Sequence, residues 1–485
     1  APFLWVIPLA LYLLTFVLIF RDQPLVPATI VAHLVPALAG LIILSEVVLL
    51  NIFLSVALHL GFFLVVALMF HQRLYNLRPP AEHLTQFYLW MSFGGVLGGI
   101  FSGLLAPVIF DRILEYPILI GLVMLAHPAV LRASRSDFAR EALPVLGLAL
   151  LVAAGIYLFR EHEFISSSTY HRYLIAVASI VIIGLFVHQV ARAALIVAAL
   201  LAVEISPAGF LDTTYERSFF GVHKIYLRDN GQFRALAHGT TLHGAIRIKN
   251  PDGSKYSGPV TPLTYYHPQG VLAQTLALLP PQINGREIAV VGLGAGSHSF
   301  NGMTRDRWTY FEIDPVVIKI ARDPNQFEFL SGCTPDARIV LGDARLTLAE
   351  EPASAFDYLL IDAFSSDTIP IHLLTREAIE LYVSRLKSDG ILVIHISNRH
   401  LELQSVVAAL ARDARIAIKT LVHITRSTSL AEPNSSAVAI FARQPQTLAP
   451  FTEELGWQQP PNNDVSVWTD DYSNILGAIW RKHSN

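Results

Sequence analysis

The pattern of apolar and polar positions changes near residue 206. Before it, long apolar stretches follow one another, and each approaches the roughly 20 residues that a helix needs to cross a bilayer core. After it, apolar residues occur in short strand-like runs and amphipathic segments that are typical of a soluble domain. The chain therefore consists of two parts, each suited to a different solvent.

The first part predicts a multi-span α-helical membrane domain over residues 1–206. The first stretch is closed by Arg21 and Asp22 without a small-residue cleavage motif, which favours a retained helix over a signal peptide. Seven spans are predicted, and an eighth is left open because polar residues around His188 interrupt the last stretch. The predicted spans cover residues 2–20, 27–45, 47–70, 88–110, 115–131, 141–159 and 173–204.

Arginines in the predicted loops give an orientation, since cytoplasmic loops are enriched in basic residues. With the C-terminal part inside, the cytoplasmic loops hold Arg21, Arg73, Arg78, Arg132, Arg135 and Arg140, and the outer loops hold Arg112, Arg160 and Arg172. The sequence thus predicts a multi-pass protein of the inner (cytoplasmic) membrane, in contact with the lipid bilayer, whose C-terminal part is cytoplasmic.

Composition agrees with this division and excludes several classes. Hydrophobic residues make up 53% of the 485 positions and charged residues 15%, which is outside the usual soluble balance. The net charge of −3 comes without a basic block, so no nucleic-acid partner is predicted. The single cysteine, Cys333, excludes an intrachain disulfide framework.

The second part begins with a predicted small β-hairpin domain, residues 215–262. Alternating stretches at residues 222–227, 233–239 and 245–249 are separated by turn-forming runs at 229–231 and 250–253. Asp-Asn-Gly and Asn-Pro-Asp-Gly are typical of tight turns between antiparallel strands. The pattern therefore predicts a small antiparallel sheet.

Residues 263–485 predict an α/β nucleotide-binding domain of the Rossmann-like, class I methyltransferase-like type. A helix near 268–279 precedes the apolar strand 288–291, which runs into a glycine loop that contains Gly292, Gly294 and Gly296 and is expected to lead into a helix. Such a loop lets the backbone approach a ligand closely. A later apolar stretch, 390–397, continues the sheet.

Three further predicted strands, 308–311, 337–341 and 356–361, each end in an acidic residue. The acids at these ends are Glu312 with Asp314, then Asp343, then Asp362. Because the carboxyl ends of parallel strands meet at one edge, these side chains are expected to converge on one site. Aspartate after a strand is also commonly a helix cap, and that alternative stays open for Asp314 above all. A dinucleotide dehydrogenase is disfavoured, because the Gly-x-Gly-x-Gly spacing differs from the dinucleotide motif.

These motifs together resemble the spermidine synthase family, and the whole chain looks like its membrane-fused bacterial branch. The likeness covers about residues 215–480 and includes the glycine loop, the Tyr-Phe-Glu-Ile-Asp run that ends at Asp314, and the run from Asp362 to Asp367. The family transfers an aminopropyl group from decarboxylated S-adenosylmethionine to putrescine and releases methylthioadenosine.

The resemblance implies a role for each matching position. The three loop glycines, Glu312 and Asp314 would hold the nucleotide, with Glu312 on the ribose, and Asp343 and Ala344 would hold the adenine end. Asp362 would be the base near the attacking amine, with Asp367 and Tyr266 as further catalytic candidates. The substrate candidates are His243, Arg247, Tyr265, His267, Asp470 and Asp471.

The sequence departs from the family where the family uses acidic residues. His243, Pro268 and Ala295 stand where the family has carboxylates, and Arg247 stands where it has glutamine. An ammonium group without carboxylate partners is costly to bury, so tight putrescine binding is doubtful. Arg247 suits a carboxylate, which leads to the hypothesis that intact S-adenosylmethionine is the donor and that its aminocarboxypropyl arm is lost or transferred.

Several alternatives remain at this level. Asp470 and Asp471 are either a second acid pair of the pocket or a helix cap. His238 and His243, five residues apart on one predicted strand, would face opposite sides, so no metal is predicted. The acceptor is a small amine or there is none, and a homodimer is left open.

Two other functions are also open. A methyltransferase would use the same nucleotide site, and a nucleotide sensor or transporter would bind the nucleotide without catalysing a reaction.

Overall fold

The computed structural model describes residues 2–21, 25–47, 52–147, 151, 187–205, 213–239, 241–363, 370–425 and 429–484. The chain divides into two compact units, residues 1–211 and 212–485. Each unit is described by itself.

The first unit is helical throughout its described residues. Its longer helices are Pro2–Ile19, Ala28–Val47, Ile52–Asn76 and Leu84–Ile100, and the last of these continues through a π-helical segment, Phe101–Leu105, into Ala106–Ile109. Shorter helices follow at Glu115–Leu125, Pro128–Arg132 and Arg135–Asp137, then a second π-helical segment at Phe138–Ala142 and the helix Gln189–Ile205.

Among the described residues, three helical stretches are long and apolar enough to cross a membrane: Ala28–Ser45, Phe53–Asn76 and Ala81–Ile109. Other described apolar helices are shorter: Trp5–Ile19, Glu115–Leu125 and Gln189–Leu200. The predicted span 115–131 is broken, because His127 ends the first helix and its Nδ1 accepts the Ala129 N–H to cap the next. Most of the predicted span 141–159 and the first half of 173–204 lie outside the described residues.

The second unit opens with a four-stranded antiparallel sheet, called here the hairpin sheet. Its strands are β1 (Thr213–Ser218), β2 (Gly221–Arg228), β3 (Phe233–His238) and β4 (Thr241–Arg247), in that order. Between β2 and β3, Asp229, Asn230 and Gly231 all have positive φ, as the turn residues predicted. β1 was not predicted, since its mixed Thr-Thr-Tyr-Glu-Arg-Ser sequence has little alternation.

The larger sheet has seven strands in the order β10-β11-β9-β8-β5-β6-β7. They are β5 (Glu287–Val291), β6 (Arg307–Glu312), β7 (Arg338–Leu341), β8 (Phe356–Ile361), β9 (Leu386–His395), β10 (Ala417–His423) and β11 (Ser436–Ala442). Neighbours from β7 to β9 are parallel, as predicted, but β11 runs antiparallel to both β9 and β10. The sheet is therefore mixed, and β10 and β11 were missed from the sequence.

Helices pack on both faces of this sheet. They are Val271–Ala277, Pro315–Arg322, Phe329–Cys333, Ala344–Glu350, Arg376–Arg385, Gln404–Ala414 and Ile475–Ser484. Two apolar clusters, one rich in the side chains of β8 and β9 with Gln404–Ala414 and one centred on β5, β6 and Val271–Ala277, form the core. All six residues of β8 are buried, which explains its nearly continuous apolar sequence.

The strand order reverses between β5 and β8, because the chain moves outward from β5 to β7 and then returns to the other side of β5. In open α/β sheets this reversal leaves a crevice beyond the carboxyl ends of the strands, where ligands bind. The fold therefore places the predicted site at the tips of β5, β6, β7 and β8.

Candidate active site

A cavity of about 220 Å³ lies at this crevice, between the strand tips and the hairpin sheet. Among the predicted site residues, Gly292, Gly294, Glu312, Asp314, Asp343, Ala344, Asp362 and His243 line it. The expectation that the ends of β5, β6, β7 and β8 converge on one cavity thus agrees with the geometry.

The glycine loop after β5 allows very close approach of three segments. Gly292 has φ +95°, and a Cβ there would lie 2.4 Å from the carbonyl oxygen of Asp362. Gly294 has φ +53°, and a Cβ there would lie 2.8 Å from the carbonyl oxygen of His243. Only glycine fits these positions without displacing β8 or the hairpin sheet.

Gly296 does not line the cavity, and the expected helix behind the loop is absent. Gly296, with φ +77°, leads instead into a single 3-10 segment, Ser297–Asn301. Serine and histidine form helices poorly, and here Ser299 bonds the Tyr310 hydroxyl at 2.7 Å. The glycine loop therefore borders the cavity without an α-helix directly behind it.

Glu312, at the tip of β6, is fixed by two backbone donors. Its Oε2 accepts the Leu293 N–H and its Oε1 accepts the Asp314 N–H, both at 2.9 Å. Burial raises the pKa of this carboxyl, while these hydrogen bonds act in the opposite direction. Each carboxylate oxygen has a further acceptor position, so Glu312 can still accept a hydrogen bond from a hydroxyl group.

Asp314 and Asp343 each cap a helix at the edge of the cavity. Asp314 caps Pro315–Arg322 through the Val316 N–H and also binds Ser218 at 2.5 Å and His223 at 2.8 Å. Burial raises the pKa of Asp314, but these hydrogen bonds outweigh it and hold the pKa below its ordinary value. Asp343 caps Ala344–Glu350 and lies 3.2 Å from His372.

Asp362, at the tip of β8, lies between two side chains that are hydrogen-bonded to it. His395 Nδ1 lies 2.6 Å from its Oδ1, and the Tyr266 hydroxyl donates to its Oδ2. Burial, with the adjacent Asp362 charge second, raises the pKa of Tyr266 well above its ordinary value, so Tyr266 stays a phenol. The Tyr265 ring lies 4.5 Å from that of Tyr266 and 5.0 Å from that of His395.

Of the six predicted substrate residues, only His243 lines the cavity. Tyr265 does not line it but packs against Tyr266 and His395, and the other four lie elsewhere. Arg247 stacks on Phe233 and Tyr256 and lines a separate cavity of about 280 Å³. Asp470 forms an ion pair with Arg345, with oxygen–nitrogen distances of 2.5 and 2.6 Å, and Asp471 is exposed. His267 does not line the cavity either, and its Nδ1 accepts the Gln269 N–H.

These placements correct two interpretations. Arg247 is at the far end of β4 from His243, so it is not at the cavity to meet a ligand carboxylate. The helix Ile475–Ser484 is capped by Asn474, which accepts the Gly477 N–H, and not by Asp470 or Asp471. Asp367 lies outside the described residues.

His238 and His243 share one side of the hairpin sheet, whereas the sequence predicted that they lie on one strand and face opposite sides. His238 ends β3 and His243 lies in β4, where the register shifts, and their rings are 6.1 Å apart. A bulge redirects a side chain, and here both imidazoles line the cavity with His223. Within the described ranges, no group of three or more histidine, cysteine or acidic residues is arranged to hold a metal ion.

Sequence reasoning missed His395, His223 and His372. His395 is the last residue of β9, and the rule that identified Asp362, a polar residue at the end of an apolar strand, also applies to it. His223 and His372 carry no such signal, since they reach the cavity from a hairpin strand and from a one-turn helix, Ile371–Leu373.

Comparison with known proteins gives one curated relative of note. The chain is 28% identical over 201 residues to a polyamine aminopropyltransferase of Vibrio vulnificus. The match covers 40% of this chain and 63% of that enzyme, so the chain spans less than two thirds of its relative's length. No protein-family model matches the chain.

Two solved structures are also similar. A probable spermidine synthase from Corynebacterium glutamicum aligns with a TM-score of 0.40 at 14% identity, covering 54% of this chain and 97% of that one. A spermidine synthase from Thermotoga maritima aligns with a TM-score of 0.34 at 17% identity, covering 55% and 84%. The curated relative agrees with the resemblance inferred from the motifs, and over these 201 residues the chain is similar to a polyamine aminopropyltransferase.

Proposed function

We propose that the second unit is an aminopropyltransferase-like enzyme. It binds S-adenosylmethionine or its decarboxylated form and transfers or eliminates the aminopropyl or aminocarboxypropyl arm, with release of methylthioadenosine. The observation that carries the proposal is the position of Asp362, a buried carboxylate at the tip of β8 that borders the same cavity as Glu312 and the glycine loop.

The residues present fit an adenosine ligand. Gly292 and Gly294 leave room for close backbone contact, and Glu312 keeps acceptor positions for ribose hydroxyls. In this proposal, Asp343 and Ala344 lie against the adenine end. A carboxylate beside a helix start suits adenine, since the exocyclic amine donates and Asp343 accepts.

The proposed reaction requires the protein mainly to align the amine with the sulfonium compound and to remove one proton. An amine attacks the carbon next to the sulfonium, a carbon–nitrogen bond forms, and the carbon–sulfur electron pair stays on sulfur as a neutral thioether. The amine must first lose a proton, and Asp362 accepts it. Tyr266 orients the carboxylate and remains protonated throughout.

The residues that line the cavity are compatible with both S-adenosylmethionine and its decarboxylated form as the donor. Imidazoles from the hairpin sheet line the cavity, His243 stands where the resemblance implies an acid, and Arg247 is elsewhere. A neutral imidazole donates to a carboxylate and accepts from an ammonium, so His238 and His243 suit either arm.

The first unit supports a proposal of its own. The helix Leu84–Ile100 buries none of its residues, and Leu89 is 68% exposed, which is unusual for a protein surface in water. We propose that the unit is embedded in the inner membrane as a multi-pass domain, with the enzyme in the cytoplasm.

Chromatography of the nucleotide product tests the function. The detergent-solubilised chain is incubated with S-adenosylmethionine or its decarboxylated form, with and without diamines. We expect methylthioadenosine, and Asp362→Asn is expected to lower its formation by about 100-fold or more. Asp389→Asn, at an exposed position of β9, is the matched control and should leave the rate unchanged.

Two outcomes would contradict the proposal. Release of S-adenosylhomocysteine would make the protein a methyltransferase. Binding without consumption of either nucleotide, unaffected by Asp362→Asn, would favour a sensor that regulates the first unit.

A further inference from the structure

A hydrogen-bonded chain that ends on Asp362 begins outside the cavity, in the neighbouring strands. His395 ends β9, next to β8, and its side chain is 7% exposed, while that of Asp362 is 2% exposed. His395 Nδ1 lies 2.6 Å from Asp362 Oδ1, and His395 Nε2 lies 2.7 Å from the Ser397 hydroxyl. The backbone N–H of Ala437, just inside β11, donates to the same hydroxyl at 2.8 Å.

The chemistry of these groups determines the direction of the chain. An ionised carboxylate can only accept, so the proton between His395 and Asp362 is on Nδ1. In that tautomer a neutral imidazole has a lone pair on Nε2, which can accept a hydrogen bond from the Ser397 hydroxyl. A hydroxyl has one donor and two acceptor positions, so Ser397 can accept the Ala437 N–H and still donate to Nε2. All three bonds therefore point from the β11 backbone toward Asp362.

We propose that His395, held in one tautomer by Ser397, is a positioning residue for Asp362. It fixes Oδ1 from the β9 side while Tyr266 fixes Oδ2 from the other, so the carboxylate faces the cavity in one orientation. The Tyr265 ring, 5.0 Å from the imidazole and tilted by 31° to it, packs against the imidazole and limits its rotation.

The inference rests on the proposed function, because His395 acts through Asp362, the general base of the proposed reaction. The geometry explains why a histidine suits this place. Its two ring nitrogens can accept from one neighbour and donate to another across one flat group, which links β11 to the tip of β8. The side-chain amide of asparagine reaches only as far as the Nδ1 position, so it can replace the hydrogen bond to Asp362 but not the one to Ser397. Leucine can form neither hydrogen bond.

Kinetics of the full chain in detergent test the role. His395→Leu should lower kcat by about tenfold or more and leave the KM of the nucleotide within about twofold, since the buried carboxylate loses one of its donors. His395→Asn should retain more activity than His395→Leu. Ser397→Ala should lower kcat by a smaller factor, and Ser397→Thr, which keeps the hydroxyl, should restore it.

The control is His400→Asn, an exposed histidine five residues away, which should behave as wild type. A merely structural role for His395 predicts parallel loss of nucleotide affinity and thermal stability in all four variants. Equal kcat for His395→Leu and wild type, or a loss confined to KM, would overturn the proposal.

Imidazole ¹⁵N spectra of the full chain with labelled histidine separate this inference from the function. The signal that disappears in His395→Asn should show the Nδ1-protonated tautomer, and it should change in Asp362→Asn. That result supports the chain of donors even if no nucleotide is consumed. An Nε2-protonated His395 would contradict the inference even if methylthioadenosine is released.

Discussion

Asp314 is both a helix cap and a cavity residue, two roles that the sequence analysis treated as alternatives. It caps the helix Pro315–Arg322 and also accepts from Ser218 and His223 of the hairpin sheet, while it lines the cavity. Its hydrogen bonds come from the protein, so it is better suited to hold the hairpin sheet over the cavity than to bind a ligand directly. A helix cap and a site residue are therefore compatible at one position.

His298 is the residue whose burial has the clearest consequence for stability. It lies beside Tyr266, Trp308 and Tyr358, its Nε2 is 3.2 Å from the Tyr358 hydroxyl, and its Nδ1 has no hydrogen-bond partner among the described residues. Burial lowers the pKa of His298 to about 4, and the Asp362 charge only partly opposes this. The folded protein therefore holds His298 neutral.

Acidification should accordingly destabilise the second unit. The unfolded chain, with an ordinary histidine pKa near 6.5, binds the proton between pH 6.5 and about 4, and the folded chain does not. The free energy of unfolding should fall by about 2 kcal/mol between pH 7.5 and pH 5 from this group alone. Denaturant titrations of wild type and His298→Phe at both pH values measure it, with His400→Asn as control. An equal pH dependence in His298→Phe would show that other groups are responsible.

At the scale of elements, the contact between β4 and the glycine loop determines the shape of the cavity. Gly244 has φ +152°, and a Cβ there would lie 2.7 Å from the Ala295 Cβ and 2.8 Å from the Ser297 hydroxyl oxygen. The hairpin sheet and the glycine loop therefore meet closely where Gly244 lies against the small residues Ala295 and Ser297.

Gly244→Ala should separate these two elements slightly. We expect a loss of about 1–3 kcal/mol in stability, because the added methyl group has no room, and a weaker affinity for the adenosine ligand, because His243 moves away from the loop. Gly332→Ala is the matched control, since a Cβ there meets nothing within 4 Å. Isothermal titration with methylthioadenosine and thermal unfolding measure both quantities. Unchanged affinity in Gly244→Ala would show that the hairpin sheet does not shape the binding site.

At the scale of the whole molecule, one chain contains two units that differ in how much apolar surface they expose. The first exposes large apolar side chains such as Trp90, 65% exposed, and Val108, 84% exposed. The second buries apolar residues in two clusters on the faces of a mixed sheet and in two smaller clusters beside the hairpin sheet. The proposal that the first unit lies in a bilayer would account for its exposed apolar side chains.

The full chain should sediment with membranes and resist extraction by alkaline carbonate. Protease added to inverted inner-membrane vesicles should remove the second unit, whereas right-side-out vesicles should protect it, as the arginine distribution predicts. Blotting for a C-terminal tag reports the result, and a periplasmic protein sealed in the vesicles controls for leakage. Cleavage only in right-side-out vesicles would reverse the orientation.

The local pattern alone determined much of this protein. Period-two alternation and turn residues predicted three of the four hairpin strands, and continuous apolar runs predicted β5 to β9. Acidic residues at the ends of parallel strands predicted which side chains meet at the cavity, because that rule follows from strand direction and needs no long-range information.

Only the tertiary structure decided the rest. The bulge in β4 brings His243 to the cavity beside His238 and leaves Arg247 at the other end of the strand, and a one-residue change of register is invisible in a single sequence. Asp470 was placed by Arg345, 125 positions away, and His395 became a partner of Asp362 through the pairing of β8 with β9. Each of these outcomes depends on which distant segments pack together, and hydrophobic burial selects that packing over the whole unit at once.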